Sequence, residues 1–495
     1  MALDKRSNGI LMHVSSLPSE YGIGKLGKEA VRFIDFLKRC GTEFWQILPL
    51  SQTSYGDSPY QSFSIHAGNP YFIDFEQLEE ENLLRKNDYA KFDWGNNPRR
   101  VDYEKIYQNT YPILRKAYER SLACSQEEFE EFKEENAYWL DNYSLFMSLK
   151  DAHNGKPWYE WETGYAFCKK RKMEQAREEL KTDIDYYSWM QFVFYKQWKK
   201  IKEYANSKGI KIIGDMPIYV SYDSTEVWTE PDLFFLNSSK EPTAVAGCPP
   251  DSFSATGQLW GNPVYNWKYH AKTGYKWWKE RINSAKELYD VIRIDHFRGF
   301  ESYYAIPFGS KTAEIGQWFK GPGMKLFDAI KEETKDIDII AEDLGFVTPE
   351  VRKLLDETGF PGMKVLQFAF DGTGKSEYIP HNFKNSNCVC YTGTHDNETL
   401  LGWIDSLEPD NLKYVKRYFR VRNSKDIPEE MIRCAWSSTA NLAIAQIQDF
   451  LSSPASSRMN TPSTLGGNWE FRTVNSDFGS RLSKHINELN AIYNR

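Results

Sequence analysis

The sequence predicts a chain of the α/β class: a (β/α)8 TIM barrel with largely helical insertions between its strands and no separate C-terminal β-domain. Two observations lead there. Eight short runs read as strands, most of them apolar on both faces at their N-terminal ends, as strands buried in a parallel sheet are. Helical patterns with start and stop signals separate several of them, which is the signature of βα units. Eight such strands fit a closed barrel better than an open sheet.

The eight runs are "ILMHVSSL" (10–17), "EFWQILPL" (43–50), "IKIIGDMPIYV" (210–220), "VIRID" (291–295), "IDIIAEDL" (337–344), "MKVLQFAF" (363–370), "CVCYTGTHD" (388–396) and "AIAQIQDFL" (443–451). Between the first two, "KEAVRFIDFLKRCG" (28–41) has apolar residues at helical spacing and ends on glycine. "TPEVRKLLDETG" (348–359) opens with a threonine cap and a proline at the first helical position. Two intervals are too long for simple connections. Residues 51–209 carry charged helical patterns and read as a helical insertion; residues 221–290 read as a second insertion with a Gly/Pro/aromatic loop at 246–267. A length of 495 residues suits one decorated barrel as well as two or three domains.

Composition narrows the function. The formal charge of −7 argues against nucleic acid as a partner, since such binders usually present a basic face. No apolar run approaches the roughly 18 residues of a membrane span, and the N-terminus shows no secretory h-region. Seven scattered cysteines with no CxxC pair predict reduced thiols, a cytoplasmic location and no zinc site. Aromatic residues make up 15% of the chain, and many sit in loops such as "SYGDSPYQSF" and "FSATGQLWGNPVYNW". Aromatic loops are amphipathic platforms, suited to sugar faces as well as to nucleobases.

Two glycine motifs imitate phosphate sites. "GIGKLG" (22–27) matches GxGxxG, but "PSEY" intervenes after the strand and the next strand ends without an acid for a ribose. "DGTGKS" (371–376) lacks the first glycine of a phosphate loop, since position 369 is Ala. A dinucleotide-dependent oxidoreductase is therefore disfavoured, and no cofactor is predicted.

The run "VIRIDHFRGF" (291–300) is the most informative. Strand alternation turns Ile292 and Ile294 one way and Arg293 and Asp295 the other, which in a barrel means inward at the C-terminal mouth. Arg293 beside Asp295 favours an ionised carboxylate, the state a nucleophile needs; a structural ion pair is the alternative. Two more strand ends are acidic: "IDIIAEDLG" ends in Glu342 and Asp343, and "YTGTHDNET" carries His395, Asp396, Asn397 and Glu398. Three acidic strand ends converging on one mouth match the paired carboxylates of glycoside chemistry, where one is ionised and another holds a proton.

Together these motifs resemble glycoside hydrolase family 77, the 4-α-glucanotransferases of the amylomaltase or disproportionating-enzyme type within the α-amylase clan. The series runs "SLPSEYGIGKLG", "YGDSPYQSFS", "AGNPYFID", "GDMPIYV", "PPDSFSATGQLWGNP", "RIDHFRGF", "AEDLG", "TGTHDN", "GNW", and covers nearly the whole chain in order. The resemblance implies Asp295 as nucleophile, Glu342 as general acid/base and Asp396 as a third carboxylate. It further implies that Arg293 orients Asp295, that His395 contacts the donor sugar, that Asp215 supports the mouth and that Tyr60 stacks beneath the sugar at the cleavage point. Phe253, Gln258 and Trp260 fall on its acceptor-side lid, and Ser58, Asn397 and Asn468 complete the implied substrate-binding set. The chain departs from the family pattern at Ile65, His66, Ser463 and Phe471.

The expected activity is thus a retaining 4-α-glucanotransferase acting on maltooligosaccharides, amylose or starch, with no metal. An α-amylase-like hydrolase would use the same carboxylates, differing only in whether water attacks the intermediate. A non-catalytic glucan-binding protein is disfavoured, because binding alone has no use for a general acid.

Overall fold

The computed structural model describes residues 2–53, 56–250 and 254–495. All eight expected strands are present: β1 (Ser7–Leu11), β2 (Phe44–Gln46), β3 (Lys211–Met216), β4 (Val291–Ile294), β5 (Asp338–Ala341), β6 (Gly362–Val365), β7 (Cys388–Tyr391) and β8 (Leu442–Gln446). Every ladder in the eight-stranded sheet is parallel. Each strand but β5 pairs with its successor, and β8 pairs with β1. At the seam between β5 and β6 the amide of Ala341 donates to Pro361 O (2.9 Å). The amide of Met363 donates to Asp343 Oδ1 (2.6 Å). Asp343 is thus spent on closing the barrel, whereas its neighbour Glu342 faces the mouth.

The strands are shorter than their apolar runs. β1 stops at Leu11 and β8 at Gln446, although Val14, Leu17 and Ile447 beyond them are wholly buried. Those residues sit in short helical turns that cap the barrel, and burial alone makes them look like strand.

Residues 51–209, between β2 and β3, are largely helical. Their long helices Glu127–Ala152 and Lys181–Ser207 pack through aromatic pairs such as Phe129–Phe192 (5.7 Å) and Trp139–Tyr195 (5.9 Å). The insertion is pinned to the loop after β2 by Gln191, whose side chain accepts from Gly68 N–H (2.8 Å) and donates to Gly68 O (3.0 Å).

The second insertion builds something the sequence reading did not foresee. Ala244–Cys248 and Gln258–Pro263 join Ser302–Pro307 and Gln317–Lys320 in a four-stranded antiparallel sheet. Two of its strands lie outside residues 221–290, in the connection after β4. Among the described residues no strand follows β8, so the chain ends in helices and loops.

"GIGKLG" serves packing. A Cβ at Gly24 would lie 1.8 Å from Val14 O, and one at Gly27 would lie 2.1 Å from Asp74 Oδ2. All seven cysteines are free thiols. Among the described residues there is no group of metal-ligating side chains, and no helix is long and apolar enough to cross a membrane.

Candidate active site

A cleft of about 2180 Å³ opens at the C-terminal ends of the strands. Ordinary small-molecule sites run to roughly 1,000 Å³, so this one has room for an oligomer. Arg293 and Asp295 reach it from the end of β4, Glu342 from the residue after β5, and His395, Asp396 and Asn397 from the loop after β7. Ser58 and Tyr60 line it from the loop after β2, and Gln258 and Trp260 from the small sheet. That sheet, the loop after β3 and the loop after β8, from Arg458 to Trp469, complete the lining.

Arg293 is the buried cation at the centre. Its Nη1 donates to both oxygens of Asp215, at 2.7 and 2.6 Å, and to Asp295 Oδ1 at 3.1 Å. Asp215 does not line the cleft. It sits beneath, where Tyr60 also donates to its Oδ2 (2.6 Å). Arg293 is therefore shared, and its hold on Asp295 is weaker than adjacency in the strand suggests. Burial pushes the Asp295 carboxyl well above the usual carboxylate range, against the pull of Arg293, with Asp215, Glu342 and Asp396 adding like charge.

Glu342 is oriented by main chain. Its Oε2 accepts from His296 N–H (2.7 Å) and its Oε1 from Leu344 N–H (3.0 Å). Those amides and Arg293 favour its charged form, yet burial dominates and raises its pKa. Several carboxylates thus share one arginine, and burial pushes both Asp295 and Glu342 up, the direction that lets a carboxyl hold a proton for acid/base chemistry at a sugar bond.

Asp396 is held from the loop after β8. Asn460 Nδ2 donates to its Oδ1 (2.6 Å), Arg458 Nη2 donates to its main-chain oxygen (2.6 Å), and His395 Nε2 lies 3.4 Å from Oδ1. Burial lowers the pKa of His395, which keeps the ring neutral despite Asp396. The ring stacks on Tyr60 (5.2 Å, 14°), and both lean on Trp469 (6.0 and 5.8 Å). The result is an aromatic wall beside the carboxylates.

The model of glycoside hydrolase family 77, described as 4-alpha-glucanotransferase, matches residues 12–476. The chain belongs to this family, the 4-alpha-glucanotransferases. A 4-alpha-glucanotransferase of Clostridium butyricum is 49% identical over 98% of this chain and 100% of its own. The structure of an amylomaltase from Streptococcus agalactiae in complex with acarbose superposes with a TM-score of 0.97 at 44% identity, over 99% of this chain and 100% of that one. An amylomaltase from Corynebacterium glutamicum, 18% identical with a TM-score of 0.78 over 98% of this chain and 74% of that one, shares the fold.

Within this 4-alpha-glucanotransferase chain, most of the implied substrate-binding residues do line the cleft, but several are already committed. Ser58 Oγ accepts from Tyr60 N–H (3.2 Å), and Asn397 Oδ1 accepts from Thr394 N–H and Oγ1 (both 2.9 Å), so both shape turns. Gln258 Oε1 accepts from Trp260 Nε1 (3.1 Å), and the indole stands edge-on to His296 (4.8 Å, 84°). Asn468 does not line the cleft. Its Oδ1 accepts from Thr461 N–H (2.9 Å) and its Nδ2 donates to Thr464, bracing its own loop. Phe253 lies outside the described residues.

The sequence reading missed Arg458, Asn460 and Trp469. The available signal was positional: they follow the eighth strand, and every such loop of a barrel opens on the mouth. Trp469 also stands at φ +65°, a left-handed backbone rare for a large side chain. Ser463, where the family favours glycine, has φ +64°, which explains that preference. His66 is not at the rim but buried, with Nδ1 2.9 Å from Ser284 Oγ.

Proposed function

We propose that this family 77 enzyme moves α-1,4-glucan segments by two displacements with retention. Asp295 attacks the anomeric carbon as the donor's glycosidic bond breaks, and Glu342 gives its proton to the departing O4. The segment is then an ester on Asp295. The 4-hydroxyl of an acceptor loses its proton to Glu342 and attacks the same carbon, releasing Asp295. Asp396 holds sugar hydroxyls and balances the positive charge that develops on the ring. Arg293 orients Asp295, and Tyr60, His395 and Trp469 form the surface against which the reacting sugar lies.

The observation that carries this reading is that Asp295, Glu342 and Asp396 line one cleft, with the buried Arg293 hydrogen-bonded to Asp295. The acarbose complex of the Streptococcus agalactiae amylomaltase supports oligosaccharides of the α-glucan type, such as maltooligosaccharides, amylose or starch, as substrates. Transfer is favoured over hydrolysis by Trp260, whose ring edges the nucleophile's neighbour His296 and would bind an acceptor while helping exclude water. The mechanism as written needs no metal. Maltotriose is the decisive substrate. A transferase converts it into glucose and a ladder of longer maltodextrins at nearly constant total reducing ends; reducing ends that rise in step with donor consumption, with no longer chains, would mark a hydrolase.

A further inference from the structure

Away from the carboxylates the cleft carries aromatic surface that the chemistry above does not use. Tyr159 and Phe308 are 45% and 47% exposed, and both line the same cleft. Tyr159 lies flat on Tyr222, with ring centroids 4.5 Å apart and planes within 5°. Phe308 meets Tyr222 edge-on at 6.0 Å and 76°. The rings come from three separate stretches: the turn Trp158–Glu160, the loop after β3, and the residue after Ser302–Pro307. Three converging, half-exposed rings in a continuous groove are a binding surface rather than leftover core.

The platform is also rigid. Trp158 packs edge-on against Tyr222 (5.4 Å), and its Nε1 donates to Tyr222 O (2.8 Å). The Tyr222 hydroxyl donates to Lys240 O (2.9 Å). Below, Asp223 accepts from Trp158 N–H (3.2 Å) and forms an ion pair with the buried Lys150. Rings held in place lose little freedom when a ligand arrives, which is how a flat, weakly polar surface gains affinity. Glu241 and Thr312, also in the lining, offer polar groups beside the rings.

Its side of the cleft follows from the small sheet. Phe308 follows directly on the strand Ser302–Pro307, which pairs with Ala244–Cys248, and Ala244–Cys248 pairs with Gln258–Pro263, which carries Trp260. The platform therefore continues the side of the cleft that carries Trp260. We propose that Tyr159, Tyr222 and Phe308 form an outer subsite for the reducing-end side of a long α-1,4-glucan, and that this subsite sets the enzyme's preference for chain length. The proposal rests on the transferase reading above. An acceptor offers its non-reducing 4-hydroxyl at the carboxylates, so its remaining glucose units run outward along this side, and only a chain of several units reaches the rings.

The test uses maltotriosyl fluoride as a fixed donor and acceptors from glucose to maltoheptaose. With the unaltered chain, acceptor KM should fall as length increases. Tyr159→Ala and Phe308→Ala should each raise the ratio of the maltoheptaose KM to the glucose KM by about threefold to tenfold, as losing one aromatic contact does. Tyr159→Trp should restore it. The proposal is overturned if the ratio is unchanged in both alanine variants, or if the glucose KM rises in parallel, which would indicate general damage to the cleft. Failure of the underlying reading looks different: the unaltered chain would then release fluoride without making longer products.

Discussion

Arg293 is bound first to Asp215. Its Nη1 is 2.6 Å from Asp215 Oδ2 and only then 3.1 Å from Asp295, and the Asp215 side chain is fully enclosed. Removing one partner of a buried pair strands the other charge, at about 3–5 kcal/mol. Asp215→Ala should therefore lower the unfolding free energy by an amount of that order, read as a lower urea midpoint, and also cost activity, because Arg293 and the Tyr60 hydroxyl both lose their anchor. An unchanged midpoint would mean that Asp295 alone holds the arginine.

Asp295→Asn should abolish turnover with the fold intact, since an amide does not attack. Glu342→Gln should stop reaction with maltotriose, whose leaving oxygen needs a proton. It should still react with a glycosyl fluoride, whose leaving group does not. Mass spectrometry of that variant should show a glycosyl adduct on Asp295. An adduct on any other residue ends the assignment of nucleophile.

Trp260→Ala should slow transfer from maltotriose and enlarge the hydrolysed share, read as growth in total reducing ends per donor consumed. A variant that slows without changing that share would assign the indole to ground-state binding alone.

Asp449 yields a pH prediction remote from catalysis. Its Oδ2 accepts from Thr392 Oγ1 (2.6 Å) and its Oδ1 from Leu400 N–H (2.9 Å), with burial pushing its pKa up to about 7. A carboxyl raised in the folded state stabilises the fold fully below its unfolded pKa of about 3.9. That contribution is lost as pH rises from there through about 7. Asp449→Asn mimics the protonated form without titrating. The melting temperature of the variant relative to the unaltered chain should climb between about pH 4 and 7. A flat difference would show that Asp449 is charged in the fold throughout.

Much of the fold was readable because barrel strands are buried on both faces, and their apolar runs stand out from any distance along the chain. What misled was the same property. Val14 and Ile447 are as buried as the strands before them, and periodicity over a few residues does not separate a buried turn from a buried strand. The small sheet escaped because its edge strand Gln317–Lys320 is exposed along its length and carries no core signal. Among site residues, those on strand ends were found through the clash of charge with apolar context. Asn460 and Trp469 sit in a polar loop where nothing clashes.

By itself, then, the sequence determined that Arg293, Asp295, Glu342 and Asp396 lie at or beyond strand ends on the mouth side. Alternation and chain order decide which residues a barrel presents at its mouth, and both are properties of the chain. Which of these groups touch was decided only in three dimensions. Arg293 shares its charge with Asp215 across the β3–β4 ladder, Glu342 hangs from the main-chain amide of His296, and Asp396 is fixed by Asn460, 64 residues away. Hydrogen bonds act over about 3 Å whatever the separation in sequence, so the balance of charge at the carboxylates exists only once the barrel has closed.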